Sequence, residues 1–399
     1  MTDTIFDRTR TLFDIPEGVV YLDGNSLGAL PKIARERVAR EVNDHWGHQL
    51  IRAWNTAGWI DLPMNVGNRI GRLIGAPEGS VIAADSTSVN LFKALTAALR
   101  LAGDRKVILS DSGNFPSDLY IAEGVIETMG RGHRLKIVAP DEVEAAIGED
   151  VAVLMLTEVD YATGRKHDMR ALTAKARAHG VLTIWDLAHS AGAFPVDLHG
   201  CGVDFAVGCG YKYLNGGPGA PAFIYVAPHR HAEVMPSLSG WLGHDAPFLF
   251  ELGYRPAGSI DRMRTGTPPV LSMAALDAAL TVWDGVDMEA VRARSIELCE
   301  IFIREVEARC PMLTLASPRD PERRGSQVSF RHEQGYAIMQ ALIADLVIGD
   351  FRAPNIIRFG FTPLYVSPDD AVEAARRLEI VMNERRYEKP EYQKKGKVT

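Results

Sequence analysis

From about residue 80 to residue 226, short runs rich in valine and isoleucine alternate with longer amphipathic stretches. That alternation is the pattern of parallel strands joined by crossover helices, and it restricts the chain to an α/β architecture. The spacing predicts strands at Val81–Ala84, Lys106–Ser110, Leu135–Ala139, Val151–Thr157, Val181–Asp186, Val203–Gly208 and Ala222–Val226. Helices are expected between them at Val89–Leu101, Pro116–Met129, Asp141–Ile147 and Met169–His179. Three strands fall between Val181 and Val226 with no room for full helices, so part of the sheet should depart from simple winding. In open sheets of this kind function clusters at strand C-terminal ends.

Before this block, a Gly- and Asn-rich stretch, Tyr21-Leu-Asp-Gly-Asn-Ser-Leu-Gly28, leads to Pro31 at a helix start. Helices follow at about Ile33–Trp46 and Leu62–Ile74. After it the patterns read as helices Pro268–Trp283 and Met288–Arg309, strand Gln327–Arg331, helix Tyr336–Leu346, strand Ile356–Phe359 and helix Asp369–Asn383. That makes a smaller α+β C-terminal domain, and the polar end Tyr387–Thr399 is expected to fray.

With 44 Lys plus Arg against 51 Asp plus Glu, the net charge of -7 is spread along the chain, apart from Lys394-Lys395-Gly396-Lys397. Nucleic-acid backbone binding is therefore disfavoured. No run approaches about 18 apolar residues and the N-terminus lacks a basic region followed by an apolar core, so neither a membrane span nor a signal peptide is expected. Four cysteines, Cys201, Cys209, Cys299 and Cys310, are too few for a disulfide framework and none pair as C-x-x-C. A reducing cytoplasm and no metal site are the expectation.

The chemistry-bearing residues begin with Val181-Leu-Thr-Ile-Trp-Asp186-Leu-Ala-His189, followed by Gly210-Tyr211-Lys212-Tyr213-Leu-Asn-Gly-Gly-Pro-Gly219. An acid ending a buried strand and a lysine before a Gly-rich turn suit pyridoxal 5'-phosphate, which needs an amine for its aldehyde and a carboxylate beside its ring nitrogen. Alone, Lys212 reads as a solvated loop lysine, Asp186 as a helix cap and His189 as a satisfied histidine; the combination favours the cofactor. Asp85-Ser86-Thr87-Ser88 precedes a helix whose N-terminus could take a phosphate, although an ordinary cap has the same residues. In Asp111-Ser-Gly-Asn-Phe115-Pro116-Ser-Asp118, Phe115 could stack on a ring or simply be core. Arg358, among apolar neighbours, could clamp a carboxylate or pair with an acid.

Longer stretches match one family. Besides Tyr21–Gly28 they are Leu50-Ile-Arg-Ala-Trp54-Asn-Thr-Ala-Gly-Trp59, Asn114-Phe-Pro-Ser-Asp118-Leu-Tyr-Ile-Ala-Glu-Gly124, Trp185-Asp-Leu-Ala-His-Ser-Ala-Gly192, Tyr211–Gly219, Leu238-Ser-Gly-Trp-Leu-Gly-His244 and Arg358-Phe-Gly-Phe-Thr-Pro-Leu-Tyr365. On these the chain resembles the bacterial kynureninases, fold type I pyridoxal enzymes of the aspartate-aminotransferase type. The resemblance implies a large domain with a mostly parallel mixed sheet at 61–267. An N-terminal arm and helix, 1–60, would join a small α+β domain at 268–399, with a disordered tail near 388–399. It also implies that Lys212 holds the cofactor, Asp186 meets its ring nitrogen, Phe115 stacks on it, and Thr87, Ser88 and Tyr211 bind its phosphate. Asp118, Thr157 and His189 fall at cofactor-contacting positions, while Trp241 and Thr267 would reach the site of the other subunit in a cytoplasmic homodimer. Arg358 would take the substrate carboxylate. The family's strand end often reads Thr-His-Val-Asn where this chain has Thr157-Glu158-Val159-Asp160.

The implied activity is hydrolysis of L-kynurenine to anthranilate and L-alanine in tryptophan catabolism, with Lys212 moving the α-proton and Tyr211 shuttling protons once neighbouring cations lower its pKa. Trp54 and Thr267 stand where animal-type members have histidine and asparagine, which implies weaker action on 3-hydroxykynurenine. The rivals are a class V aminotransferase, a cysteine desulfurase-like lyase, which needs a mobile loop cysteine, and a non-catalytic homologue that keeps the fold.

Overall fold

The computed structural model describes residues 5–394 and Gly396. Its centre is a seven-stranded sheet built from β1 (Val81–Ala83), β2 (Val107–Asp111), β3 (Arg134–Val138), β4 (Val151–Thr157), β5 (Leu182–Asp186), β6 (Phe205–Cys209) and β7 (Ala222–Val226). The strands lie in the order β1-β7-β6-β5-β4-β2-β3. Neighbours from β6 to β3 are parallel, whereas β7 runs antiparallel to both β6 and β1. This is the departure expected from the crowded Val181–Val226 segment. β5 and β6 are joined through a single short helix, Leu198–Cys201, and the chain turns back after the lysine loop into β7.

Every residue of β4 is buried, because helices cover both sheet faces, and such strands read as continuous apolar runs. β3, at the edge, is largely exposed and carries Arg134 and Lys136, charges that discourage edge-to-edge pairing. Helix α1 (Lys32–Arg40) packs on the later helix Val270–Ala279, and the helices covering the sheet include α2 (Leu62–Leu73), α3 (Thr87–Leu101), α4 (Pro116–Met129) and α5 (Met169–Ala178). α1 does not run on to Trp46 as a regular helix; Glu41–Gln49 continues in wider π-type turns. α3 starts two residues earlier than its apolar pattern suggests, because Ser86 caps it, its side chain accepting from the Val89 N–H at 3.3 Å.

Val270–Ala279 (α6) packs on α1 and α2, and beyond it α7 (Met288–Arg309), α8 (Gly335–Ala344) and α9 (Pro368–Asn383) lie around a four-stranded antiparallel sheet. In that sheet Gln327–Arg331 and Asp350–Arg352 both flank Ile356–Gly360. Phe302 of α7 packs on Phe359, ring centroids 4.8 Å apart, and on Phe330 and Phe361. The N-terminal segment joins this part through Val20–Tyr21, which pairs in parallel with Val347–Ile348. The end of the chain differs from its expected fraying. Arg386–Glu388 and Pro390–Gln393 form short helices, Tyr387 and Tyr392 pack against the core, and the Tyr336 hydroxyl donates to the Lys394 carbonyl at 3.0 Å. The aromatic pair offsets the ordering entropy that the polar composition suggested would win; Lys395 and Lys397–Thr399 lie outside the described residues.

Candidate active site

Segments distant in sequence converge at the C-terminal edge of the parallel strands around a cleft of about 340 Å³. One wall is the first turn of α3 with Thr87 and Ser88. Ahead of it Asp85 takes a left-handed conformation, φ 49°. That turn is held because the buried Lys93 ammonium donates to Asp85 Oδ2 at 2.7 Å and to the Met263 carbonyl at 2.6 Å, while Thr265 donates to Asp85 Oδ1 at 3.0 Å. Helix α3 therefore directs its unpaired N–H groups and positive dipole end into the cleft, an arrangement that receives an anion.

Lys212 enters from the Gly-rich turn after β6. The turn closes through Gly216 N–H to the Gly210 carbonyl and Asn215 N–H to the Lys212 carbonyl, both 2.9 Å. The N-terminal segment lies directly against it, with Gly28 N–H donating to the Tyr211 carbonyl at 2.8 Å. A β-carbon on Gly28 would stand 2.4 Å from the Lys212 carbonyl oxygen, so only glycine permits this approach. The Lys212 ammonium reaches His189 Nε2 at 3.0 Å. Burial, and then the charges of Lys212 and the arginines, hold the His189 imidazole well below its ordinary pKa, so it is neutral.

Beneath the lysine lie two buried carboxyls, Asp118 from α4 and Asp186 from the end of β5. Both are pushed up by burial, Asp118 well above the carboxylate range because the Asp186 charge adds to it. At Asp186 the charge of Lys212 and the Ala188 N–H, donating at 2.7 Å, act against that rise. Thr157 and Phe115 complete this part; Phe115 meets Tyr161 edge to face at 5.1 Å and keeps one side open.

Tyr211 is where expectation and structure part. The Cys209 side chain, burial and Asp186 push its phenol up, the opposite of the lowering that a proton shuttle near neutral pH requires. The neighbours that decide this are a thiol and an acid together with burial, although the Lys212 Nζ stands over the Tyr211 ring at 5.9 Å from its centroid. Tyr211 keeps its proton here and is suited to hold a ligand as a hydrogen-bond donor.

Arg358 lines the far end of the cleft, yet both readings of it meet in one geometry. Its Nε donates to Asp350 Oδ1 at 2.7 Å and its Nη2 to Asp350 Oδ2, so the fork is engaged by a buried acid. Nη2 also donates to Ser26 Oγ at 2.8 Å and Nη1 to the Tyr161 carbonyl at 2.5 Å. Of the five guanidinium N–H groups, one on Nη1 is left for a ligand. Arg352 stands beside it with an unpartnered buried Nε. Arg352, Ser26, Asn25, Ser117 and Tyr161 all line the cleft and were not singled out from the sequence; Asn25 and Ser26 lie inside the matched Tyr21–Gly28 stretch, the one signal that could have marked them.

The structure does not bring Trp54, Trp241 or Thr267 into the cleft of their own chain. Trp54 packs edge to face on Trp59 at 5.7 Å, Thr267 is exposed, and Trp241 lies partly exposed against Phe248 and Phe250. Among the described residues, no cysteine lines the cleft, no group of acids, histidines and cysteines could hold a metal ion, and no helix is long and apolar enough to cross a membrane.

Comparison with known proteins agrees with this geometry. Residues 291–378 match the family model of the kynureninase C-terminal domain. The chain is 49% identical to the kynureninase of Pseudomonas fluorescens over 98% of its own length and 95% of that protein. It is 51% identical to the kynureninase of Deinococcus radiodurans over 94% of this chain and 93% of the relative. Among solved structures, a cysteine desulfurase from Thermococcus onnurineus superposes with a TM-score of 0.81 at 17% identity, covering 95% of this chain and 98% of that one. A C-DES variant with glycine linked to its PLP cofactor superposes at 0.80 and 18% identity, covering 93% and 98%. The likeness to these structures establishes the fold type I architecture, and the desulfurase name does not extend to a cleft without cysteine. Near-full-length identity of about one half is what separates the reactions within that fold, and by it the chain belongs to the kynureninase family.

Proposed function

We propose that the chain hydrolyses L-kynurenine to anthranilate and L-alanine, using pyridoxal 5'-phosphate held on Lys212. The observation that carries this reading is the convergence of Lys212 and neutral His189 above the Asp118–Asp186 pair, with a helix N-terminus on one side and Arg358 on the other. The donor set fits the cofactor. Asp118 Oδ2 is buried without an aligned partner, the Asp186 charge suits a protonated ring nitrogen, Phe115 offers a ring face, and Thr87, Ser88 and Tyr211 offer hydroxyls to a phosphate. Bound there, the cofactor supplies a sink for electrons released at the substrate α-carbon.

The chain's own residues supply the rest. The Lys212 amine takes the α-proton, a role its position at the cleft floor supports. Asp186 would hold the cofactor at its ring nitrogen and favour the protonated ring. The free Nη1 N–H of Arg358 and the unpartnered Nε of Arg352 orient the substrate carboxylate, fixing which bonds lie over the ring. The Tyr211 phenol, which keeps its proton, lines the cleft beside Lys212 as a hydrogen-bond donor.

The division 1–60, 61–267 and 268–399 is supported by the two sheets, which fall wholly within the second and third segments. A homodimer is supported by the apolar side chains left exposed around Trp241, Phe248–Phe250 and Leu252. The test of the reading is to load purified protein with pyridoxal phosphate, add L-kynurenine and follow anthranilate fluorescence. Loaded protein that leaves kynurenine intact overturns it.

A further inference from the structure

Thr157 lines the cleft, while the next residue, Glu158, lines a neighbouring cavity of about 740 Å³; successive side chains of extended backbone point to opposite faces. Its main chain is tied to the catalytic strand ends: Glu158 N–H donates to the Asp186 carbonyl at 3.0 Å, and its own carbonyl accepts from His167 N–H at 2.9 Å. The Glu158 carboxyl is buried, and Oε2 has no aligned hydrogen-bond partner. The Ser190 hydroxyl, equally buried and without an aligned partner, is the nearest group favouring its ionised form, followed by the charge of Lys166. Ser190 closes the turn after β5, its N–H donating to the Leu187 carbonyl at 2.9 Å. Its immediate neighbour is His189, the residue that meets Lys212.

We propose that Glu158 is a positioning residue for this site: its carboxylate accepts the Ser190 hydroxyl and so holds the turn that presents His189 to Lys212. The inference rests on the kynurenine-hydrolysing reading of the cleft. A hydrogen bond to a carboxylate is roughly twice as strong as one to a neutral acid, so the turn is held more firmly when Glu158 is ionised.

Burial pushes this carboxyl up to about 7, and the open polar cavity gives it access to solvent protons. The other charged groups around it are engaged elsewhere. Arg170 pairs with Asp197, Arg323 with Asp141, and Glu144 with Lys175. Arg165 and His167 pair with Asp111, Asp168 caps α5, and Glu322 faces Arg292. The Cys201 thiol is pushed up chiefly by its own burial and stays neutral. On the cleft side the titratable neighbours are Asp186 and His189, and Lys166, over the Phe194 ring, is the cation left to face Glu158.

The experiment has two arms. In cofactor-free protein labelled with ¹³C at the glutamate carboxyls, one resonance should titrate near pH 7, vanish in Glu158→Gln, and move to higher pH in Ser190→Ala, which removes the favouring hydroxyl. In loaded enzyme, kcat/KM should rise severalfold between pH 6 and pH 8 with that midpoint. Glu158→Gln, a neutral acceptor at every pH, should lose this limb, its kcat/KM staying flat between pH 6 and pH 8 near the wild type's value at pH 6. A limb unchanged in Glu158→Gln, a folded Glu158→Gln inactive at every pH, or no glutamate titrating near neutrality overturns the proposal. A carboxyl that titrates as expected in protein that leaves kynurenine intact overturns the functional reading alone.

Discussion

Asp118 and Asp186 are two buried carboxyls lining one cleft with Lys212; burial pushes both up, and the Asp186 charge adds to the rise at Asp118 while Lys212 opposes it at both. Asp186→Asn removes the charge from the position that would face the ring nitrogen. It should keep its fold and bind cofactor, yet slow α-proton exchange by at least about a hundredfold, corresponding to about 2.7 kcal/mol of barrier. Exchange of the α-hydrogen in deuterated water measures this, and a near-normal rate would refute the role of Asp186.

Arg358 and Asp350 form a buried ion pair on adjacent antiparallel strands. Asp350→Ala leaves the guanidinium without its counter-charge, which typically costs about 3–5 kcal/mol. Denaturant unfolding should show that loss. The KM for kynurenine should rise at least tenfold, because Arg358 then swings free of the orientation that leaves one Nη1 N–H toward the cleft. An unchanged KM in folded protein would show that substrate is held elsewhere.

Glu158 also sets a pH dependence of stability. Its folded pKa of about 7 lies above the ordinary 4.5, so the folded state holds a proton that the unfolded state releases. Its contribution is fully present below about pH 4.5 and is lost as pH rises through about 7, on the order of 3 kcal/mol across that window. Relative to wild type, Glu158→Gln should therefore gain stability from pH 5 to pH 7 and no further above pH 8. Urea unfolding of cofactor-free protein at those pH values is the measurement, and a constant difference would mean that Glu158 is ionised throughout.

Trp241 and Thr267 lie outside the cleft of their own chain, which suits a role in a partner's site. If so, inactive Lys212→Ala and Trp241→Ala chains should complement on co-expression, since one of the two sites in each heterodimer carries neither lesion. Purified heterodimers with no recovered activity would argue against shared sites.

Trp54 and Thr267 likewise lie outside the cleft of their own chain, and if they meet the substrate ring in a partner's site they set the choice of ring. Trp54 offers one N–H and Thr267 a short hydroxyl, so a 3-hydroxyl on the substrate would be poorly paired, at about 1–3 kcal/mol. L-kynurenine should be preferred by about 5- to 150-fold in kcat/KM, and a Trp54→His, Thr267→Asn double variant should narrow the gap. Equal use of both substrates by the wild type would overturn this.

The strands, most helices and the lysine turn were legible in the sequence because each rests on local physics: continuous apolar runs for buried parallel strands, Ser86 and Pro116 at helix starts, glycines around Lys212. Lys212, Asp186, His189 and Thr87 could be singled out as candidates too, since each stands near a strand end or helix start, and all four line the cleft. Other features exist only after folding. The antiparallel course of β7, the engagement of Arg358 by Asp350, the approach of Ser26 and Arg352 and the packing of the chain end are contacts between residues far apart in the chain. The proton states follow the same rule. Tyr211 is pushed up, His189 down, and Asp118 above Asp186, because a pKa is set by the burial and neighbouring charges that the tertiary structure assembles, while the sequence supplies only the ordinary values from which they move.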